Sequence, residues 1–475
     1  MAYYNCAPIT CGKKSEIKEK ESLKDWKHED ILSPLKVVMH DVDYEYGGGN
    51  GPPASNEGVG KTTIENLEGC KVEEGIPPHY GYNEPILMDT WQMSSFRDKI
   101  NPLNGLSAHP YEMIFSSMGD FFINLATSML YVRFGLVDET NTAVTAAYTK
   151  LKGVDNILNS MWESLEVKLN EVPINNSGSR MHGYRSIMEY NLSIEKNVNS
   201  CYTTSGFGQN PVFKNSEYEY CGPIPCDMLR CDNHFAPGHK LSLTFFRSED
   251  KFCLLDEDGK VHKIVIKEIF IKVDRIRLRP EITRKLLSAG PQHYTTAYTE
   301  IKDYPLAANQ SQWTIKLYAG GVLPHQVIVG MVTTEAFTGT FKTDPFKFEP
   351  FGLNHFCLRV NGVRLPQDPL TPDFAQNRYS AAYLSVYENT GKFRVNGGNS
   401  ITYEDFSTSK CILPTDLSPD KCNNHHYHVG AEGVLDIELA WAAPLTKPIT
   451  VVVLSIFNQV IQIPDAGAPP NIVIF

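Results

Sequence analysis

Two stretches of the chain look at first like sites for phosphate or metal. Ser55-Asn-Glu-Gly-Val-Gly60-Lys61-Thr62 ends as a phosphate-binding loop ends. Such a loop needs a strand, then G-x-x-x-x-G-K-[ST], then a helix, so that backbone amides and the lysine surround the phosphates. Here Ser55 replaces the first glycine, and Pro52 and Pro53 stand where the apolar strand belongs, so the segment reads as a linker. The second stretch is Cys221-x4-Cys226-x4-Cys231-x2-His234, four soft ligands that tetrahedral zinc could use to pin a long loop. Structural zinc sites bring their ligands in close pairs, and only Cys231 and His234 have that spacing. Ordinary loop thiols are the competing reading.

A third cluster is Cys422, His425, His426 and His428, followed by Glu432. On a strand, ligands at i and i+2 point to one side, as a metal requires. His426-x-His428-x3-Glu432 resembles the first metal motif of cupins, which are also jelly rolls. The flanking glycines of that motif are missing, with Asp420 and Leu439 in their places, and no second motif follows. His428 reads instead as the start of a strand that runs on to Trp441. No G-x-S-x-G elbow is present, and Glu404-Asp405 reads as a solvated loop pair. The expectation is no catalytic residue, no cofactor and no metal.

The elements around these clusters are mostly short strands. In the last third they are Val327–Val332, Phe356–Val360, Ser380–Val386, Val434–Trp441 and Ile449–Phe457. Asn361-Gly362, Asp368-Pro369, Asn389-Thr-Gly391 and Gly397-Gly398 punctuate them, a pattern of all-β sandwiches or barrels. Leu435, Ile437, Leu439 and Trp441 alternate with Asp436, Glu438 and Ala440, so one face is apolar and the other wet. Earlier, Phe121–Leu125, Met129–Phe134, Leu165–Leu169, Leu241–Phe246 and Val261–Leu278 read as strands. The last of these switches parity near Lys267-Glu268, which predicts a turn, bulge or new strand. Val154, Ile157, Leu158, Met161, Trp162 and Leu165 share a helical face, as do Tyr184, Ile187, Met188, Asn191 and Leu192. Ile282–Leu287 reads as a short helix after Pro280, and residues 200–240 as a long loop.

A length of 475 residues implies two or three domains. The pattern divides into a flexible arm (1–80), two β-rich halves (81–260 and 261–463) and a tail (464–475). A net charge of −11 argues against broad nucleic-acid binding, which needs a basic face. The longest apolar run near the C-terminus is far below the ~18–20 residues of a membrane-spanning helix, and the first residues do not resemble a signal peptide. Eleven scattered cysteines fit reduced thiols better than a disulfide framework, and make Asn-X-Ser at Asn175, Asn191 and Asn309 accidental.

The run Val329-Gly-Met-Val-Thr-Thr-Glu-Ala-Phe-Thr-Gly-Thr-Phe-Lys-Thr-Asp-Pro-Phe-Lys-Phe348 resembles the major capsid (hexon) proteins of Polinton/Maverick elements and adintoviruses. The match continues in order through Leu358–Gly362, Tyr379–Ser385, Gly433–Leu439 and Phe457–Ile463. In the first half, Val154–Asn170 and Tyr184–Glu189 fit more loosely. The arm, the cysteine loop and the Pro/Ala-rich end have no counterpart.

The resemblance implies an all-β double jelly roll, two eight-stranded antiparallel sandwiches with a few inserted helices and long loops. It further implies a non-enzymatic homotrimer of pseudo-hexagonal outline that meets neighbouring capsomers and penton or minor capsid proteins. Such capsomers tile an icosahedral virion shell, assembled inside the host cell, that encloses double-stranded DNA without binding it specifically. The alternatives are a cupin-like metal-binding protein using His426, His428 and Glu432, and a domesticated capsid-derived scaffold protein of a host.

Overall fold

The computed structural model describes residues 92–475 except 107–108, 117–118, 145–147, 176–180, 196–200, 216, 394–397, 420 and 422–429. The chain divides into two units, Met1–Met88 and Asp89–Phe475, and every described residue lies in the second. The expected arm and the Ser55–Thr62 loop therefore lie outside the described residues, as do Cys422, His425, His426 and His428.

Ten strands make the first set: β1 (Gln92–Ile100), β2 (Tyr111–Ser116), β3 (Phe121–Asp138), β4 (Leu151–Gly153), β5 (Trp162–Leu169), β6 (Val172–Pro173), β7 (Glu217–Pro223), β8 (Lys240–Arg247), β9 (Leu254–Asp256) and β10 (His262–Leu278). Nine make the second: β11 (Gln292–Leu306), β12 (Gln312–Tyr318), β13 (Gln326–Thr333), β14 (Leu353–Val360), β15 (Val363–Leu370), β16 (Ile412–Asp416), β17 (Leu435–Trp441), β18 (Ile449–Ile463) and β19 (Asn471–Ile474).

The first set forms sheets β1-β10-β3-β7 and β2-β8-β5-β6, with β4 and β9 as a separate ribbon. The second forms β11-β18-β13-β16, which β19 joins through β18, and β12-β17-β14-β15. Leaving aside the β4–β9 ribbon and β19, both sets use one order. Their first, eighth, third and sixth strands make one sheet; their second, seventh, fourth and fifth make the other. That interleaving is the two-Greek-key order of a jelly roll, and the chain performs it twice.

Local sequence explains the register. On β17 the apolar residues Leu435, Ile437, Leu439 and Trp441 are buried while Asp436, Glu438 and Ala440 stay half-exposed. A one-residue slip would exchange the two faces. The parity switch in β10 is a bulge, with the pairing to β3 shifting between Ile266 and Glu268. Asn361 and Gly362 both take positive φ (50° and 85°) between β14 and β15, the conformation that tight hairpin turns require.

Several expectations are corrected. The strand expected at Ser380–Val386 is a helix, Ser380–Glu388, whose buried residues Ala382, Ser385 and Val386 follow helical spacing. Asp368-Pro369 lies inside β15 and is not a turn between strands. Helix in the Val154–Leu165 stretch is a single turn, Ile157–Ser160, with β5 starting at Trp162. Its apolar residues recur at helical spacing because the core surrounds this segment: Val154, Ile157, Leu158, Met161 and Trp162 are all 0% exposed. Residues 200–240 are more than loop, since β7 supplies an edge strand to β3. Glu404 and Asp405 sit in the first turn of a short helix, Tyr403–Thr408.

The boundary between the halves also moves. β10 pairs with β1 and β3 of the first set, so residues 261–278 belong there. The break falls at the helix Pro280–Leu287, which starts with proline at its first position. At the other end, the expected tail contains β19, which pairs with β18. The second expected helix is present as α1 (Met181–Ser193), with every residue from His182 to Leu192 buried.

Candidate functional site

Among the described residues, those singled out by type do not assemble into one centre. Cys221 lies on β7 opposite Tyr131 of β3, while Cys226 and Cys231 are buried on either side of the turn Met228–Arg230. Burial pushes the Cys226 thiol up to about 11 and raises that of Cys231. No three of Cys221, Cys226, Cys231 and His234 bring donor atoms within 4.8 Å of one another. Of the third cluster only Glu432 is described, and it bridges to Val322. Asn191 is 1% exposed inside α1 and donates to the Ile187 carbonyl, a setting closed to a glycan.

What the fold does assemble is a seam between the halves. One hydrophobic cluster runs through both jelly rolls. At its centre Tyr184 of α1 is stacked on Phe337, with edge-on contacts to Phe346, Phe348 and Phe252. Phe337, Phe346 and Phe348 all come from the 329–348 run that carries the family resemblance. Gly330 in the same run leaves room for the Phe348 ring, which would stand 2.6 Å from any Cβ placed there. Gly183, beside Tyr184, likewise lets Phe346 approach to 3.2 Å of its absent Cβ.

A polar network lies along the same helix. Arg185 donates through Nε to Glu189 (2.8 Å) and through Nη2 to Asp227, and Arg230 reaches the other Glu189 oxygen at 2.6 Å. Thr299 of β11, in the second half, donates to Asp227 at 3.1 Å. Burial alone would raise Glu189, but Arg185 and Arg230 outweigh it and hold the carboxyl below its usual range. Burial likewise opposes the Arg185 charge, and Asp227 with Glu189 reverses the balance. A cavity of about 30 Å³ beside Arg185, Thr296 and Thr299 is lined by His182. That histidine has a buried Nε2 without a hydrogen-bond partner, and burial pushes it down to about 3. The space holds about one water. Further along, Ser400 and Lys410 both donate to the Asn191 side chain, at 2.5 and 2.8 Å.

A second cluster occupies the outer face of β12-β17-β14-β15. His355, Cys357 and Arg359 alternate along β14, and Cys357 stands opposite Glu438 of β17. Glu438 accepts from Cys357 Sγ (3.2 Å), Arg364 Nε (3.1 Å) and Arg359 Nη2, with His355 Nε2 at 3.8 Å. Burial and the neighbouring Glu438 push the Cys357 thiol up to about 11. Burial works against the Glu438 charge, but the Cys357 hydrogen bond and the two arginines lower its pKa.

Sequence reading misses both groupings. The signal for the second was present: His355-x-Cys357 on an alternating strand, and Glu438 on the wet face of another. Strand pairing order, which joins them, is not legible in the sequence. For the seam, the aromatic density of 337–348 was visible, but its partner Tyr184 lies some 150 residues earlier.

No protein-family profile matches the chain. It is 21% identical over 369 residues to an uncharacterized protein of Caenorhabditis elegans, F54H12.2, covering 72% of this chain and 88% of that protein. Among solved structures, PBCV-1 VP54, fitted into a cryo-EM reconstruction of the virophage Sputnik, superposes with a TM-score of 0.54 at 9% identity. The alignment covers 82% of this chain and 99% of VP54. A 3.5 Å cryo-EM structure of the Sputnik virophage gives a TM-score of 0.53 at 11% identity, over 87% and 95% of the two chains. A quasi-atomic model of the PBCV-1 virus capsid gives 0.52 at 9% identity, over 82% and 99%. The chain has the double jelly-roll fold of these capsid structures. Among the described residues, no helix is long and apolar enough to cross a membrane.

Proposed function

We propose that the chain is the major capsid (hexon-type) subunit of a Polinton/Maverick or adintovirus-like element. On this reading it works through interfaces and not through catalysis. Three copies, contributing six jelly rolls, make a capsomer of pseudo-hexagonal outline, and capsomers tile an icosahedral shell around double-stranded DNA. Penton and minor capsid proteins close that shell.

The observation that carries the proposal is the strand order repeated twice in one chain, with the two rolls joined by a continuous core. A fused pair presents fixed outer faces to its neighbours, as a tile must. The acidic balance of −11 suits a shell that encloses DNA without gripping it. The nematode relative favours a second form of the same reading, a copy carried in an animal genome and either still assembling or kept as a scaffold. Light scattering of the purified full chain tests the proposal: a homotrimer supports it, and a monomer at all accessible concentrations opposes it.

A further inference from the structure

The outer face of the β12-β17-β14-β15 sheet holds a donor set that the sequence did not single out. His355 Nε2 and Cys357 Sγ are 3.7 Å apart, Cys357 Sγ and Glu438 Oε2 are 3.2 Å apart, and Glu438 Oε2 and His355 Nε2 are 3.8 Å apart. Tetrahedral zinc, with bonds of about 2.3 Å to sulfur and about 2.0–2.2 Å to nitrogen or oxygen, sets its ligands roughly 3.3–3.6 Å apart. The three atoms thus already outline one face of such a tetrahedron. Among the described residues this is the one group of three His, Cys or carboxylate donors within 4.8 Å.

We propose that His355, Cys357 and Glu438 form a divalent-metal site, with zinc the fitting ion and its fourth position open to solvent or a ligand. Backbone pairing holds the donors: His355 and Cys357 sit two apart on β14, and Cys357 is in register with Glu438 of β17. Thiolate, imidazole and carboxylate together select zinc over magnesium or calcium, which take oxygen ligands. Cys357 is buried and Glu438 only 12% exposed, so an ion enters past His355, which has 28% of its side chain exposed.

Two arginines now share Glu438, and they are the obstacle to weigh. Arg359 holds Oε1, leaving Oε2 for a metal in the manner of a partner that orients a ligating carboxylate. Arg364, which donates to Oε2, must release it. Asp436, two residues along the same face and opposite Arg359, has a buried Oδ1 with no hydrogen-bond partner and supplies a further negative charge. On binding, the Cys357 thiol gives its proton to solvent as the zinc–sulfur bond forms. No oxidant or reductant takes part.

The test uses reduced, chelator-treated full-length protein titrated with Co²⁺ as the probe, followed by displacement with Zn²⁺. The proposal expects one equivalent of Co²⁺ with a thiolate charge-transfer band and strong visible bands of four-coordinate cobalt, all removed by Zn²⁺. Cys357→Ser abolishes the charge-transfer band, and His355→Gln and Glu438→Gln each weaken binding about tenfold or more. Circular dichroism confirms that each variant is folded, and Glu438→Gln keeps the volume should Cys357→Ser fail. Absence of a thiolate band in the wild type overturns the proposal. So does a band that survives Cys357→Ser and is lost instead in Cys226→Ser or in His426→Ala with His428→Ala. Neither result bears on assembly, so this site and the capsid reading fail separately.

Discussion

Tyr184 lies stacked on Phe337, ring centroids 5.4 Å apart and planes 22° apart, although the two residues belong to different jelly rolls. The contact explains why the 329–348 run is so distinctive. Its glycine and phenylalanines build the socket that α1 of the first roll fills. Tyr184→Ala should therefore cost about 3–5 kcal/mol, the usual loss for emptying a large aromatic site. Chemical denaturation should also resolve two transitions where the wild type shows one. Unchanged cooperativity with a small loss would mean that the seam is not the coupling element.

Gly330→Ala tests the socket from the other side. The added Cβ would meet the Phe348 ring at 2.6 and 2.7 Å, so the ring or the strand must shift. Overpacking of this kind costs about 1–3 kcal/mol. A thermal midpoint equal to wild type would show that Phe348 has room to move.

Arg185→Met should destabilise by about 3–5 kcal/mol, because the half-buried Asp227 loses its Arg185 partner and the buried Glu189 is left with Arg230 alone. The sign with pH follows from Glu189, whose folded pKa is lowered. Its contribution is present above the ordinary glutamate value of 4.5 and lost as pH falls through the lowered one. The acid side of the stability profile should consequently be flatter in Arg185→Met than in wild type. Denaturant midpoints between pH 3 and 7 read this directly.

Asp155 behaves oppositely. Its Oδ1 accepts from the Gly208 amide at 2.7 Å, but burial, with Asp344 adding to it, pushes the carboxyl up to about 6. A raised folded value means that its contribution is full below the ordinary value of 3.8 and is lost as pH rises through about 6. Asp155→Asn keeps the acceptor and removes the charge, so it should be more stable than wild type at pH 7.5. The difference should vanish near pH 4. A variant less stable at pH 7.5 would contradict the assignment.

We propose that the polar segment expected to be an arm, residues 1–80, lies beneath the shell or bridges neighbouring capsomers. Trimming it should leave the thermal midpoint of the remaining chain unchanged and impair assembly. Assembly of the trimmed protein at the wild-type rate would sink that role.

Strands were the most legible part of the sequence wherever one face is wet. The alternation of β17 and the parity switch of β10 could both be read directly, because a period of two is stated by neighbouring residues. Ser380–Val386 misled because small and apolar residues in a short run fit either period. Val154–Trp162 misled because burial on all sides erases the difference between a face and a core. The jelly-roll order itself is non-local. Pairings such as Gln292 with Ile463 join residues that no window contains, and only the family resemblance anticipated them. The same holds for Cys357 and Glu438, each unexceptional until β14 lies beside β17.

Cryo-EM of the recombinant 475-residue chain, purified and concentrated, tests the capsid reading most directly. A capsid subunit should give trimeric particles with six upright jelly rolls and a pseudo-hexagonal outline, going on to form hexagonal sheets or closed shells. A uniform population of single double-jelly-roll monomers, with no trimers under any ionic condition, would contradict that reading.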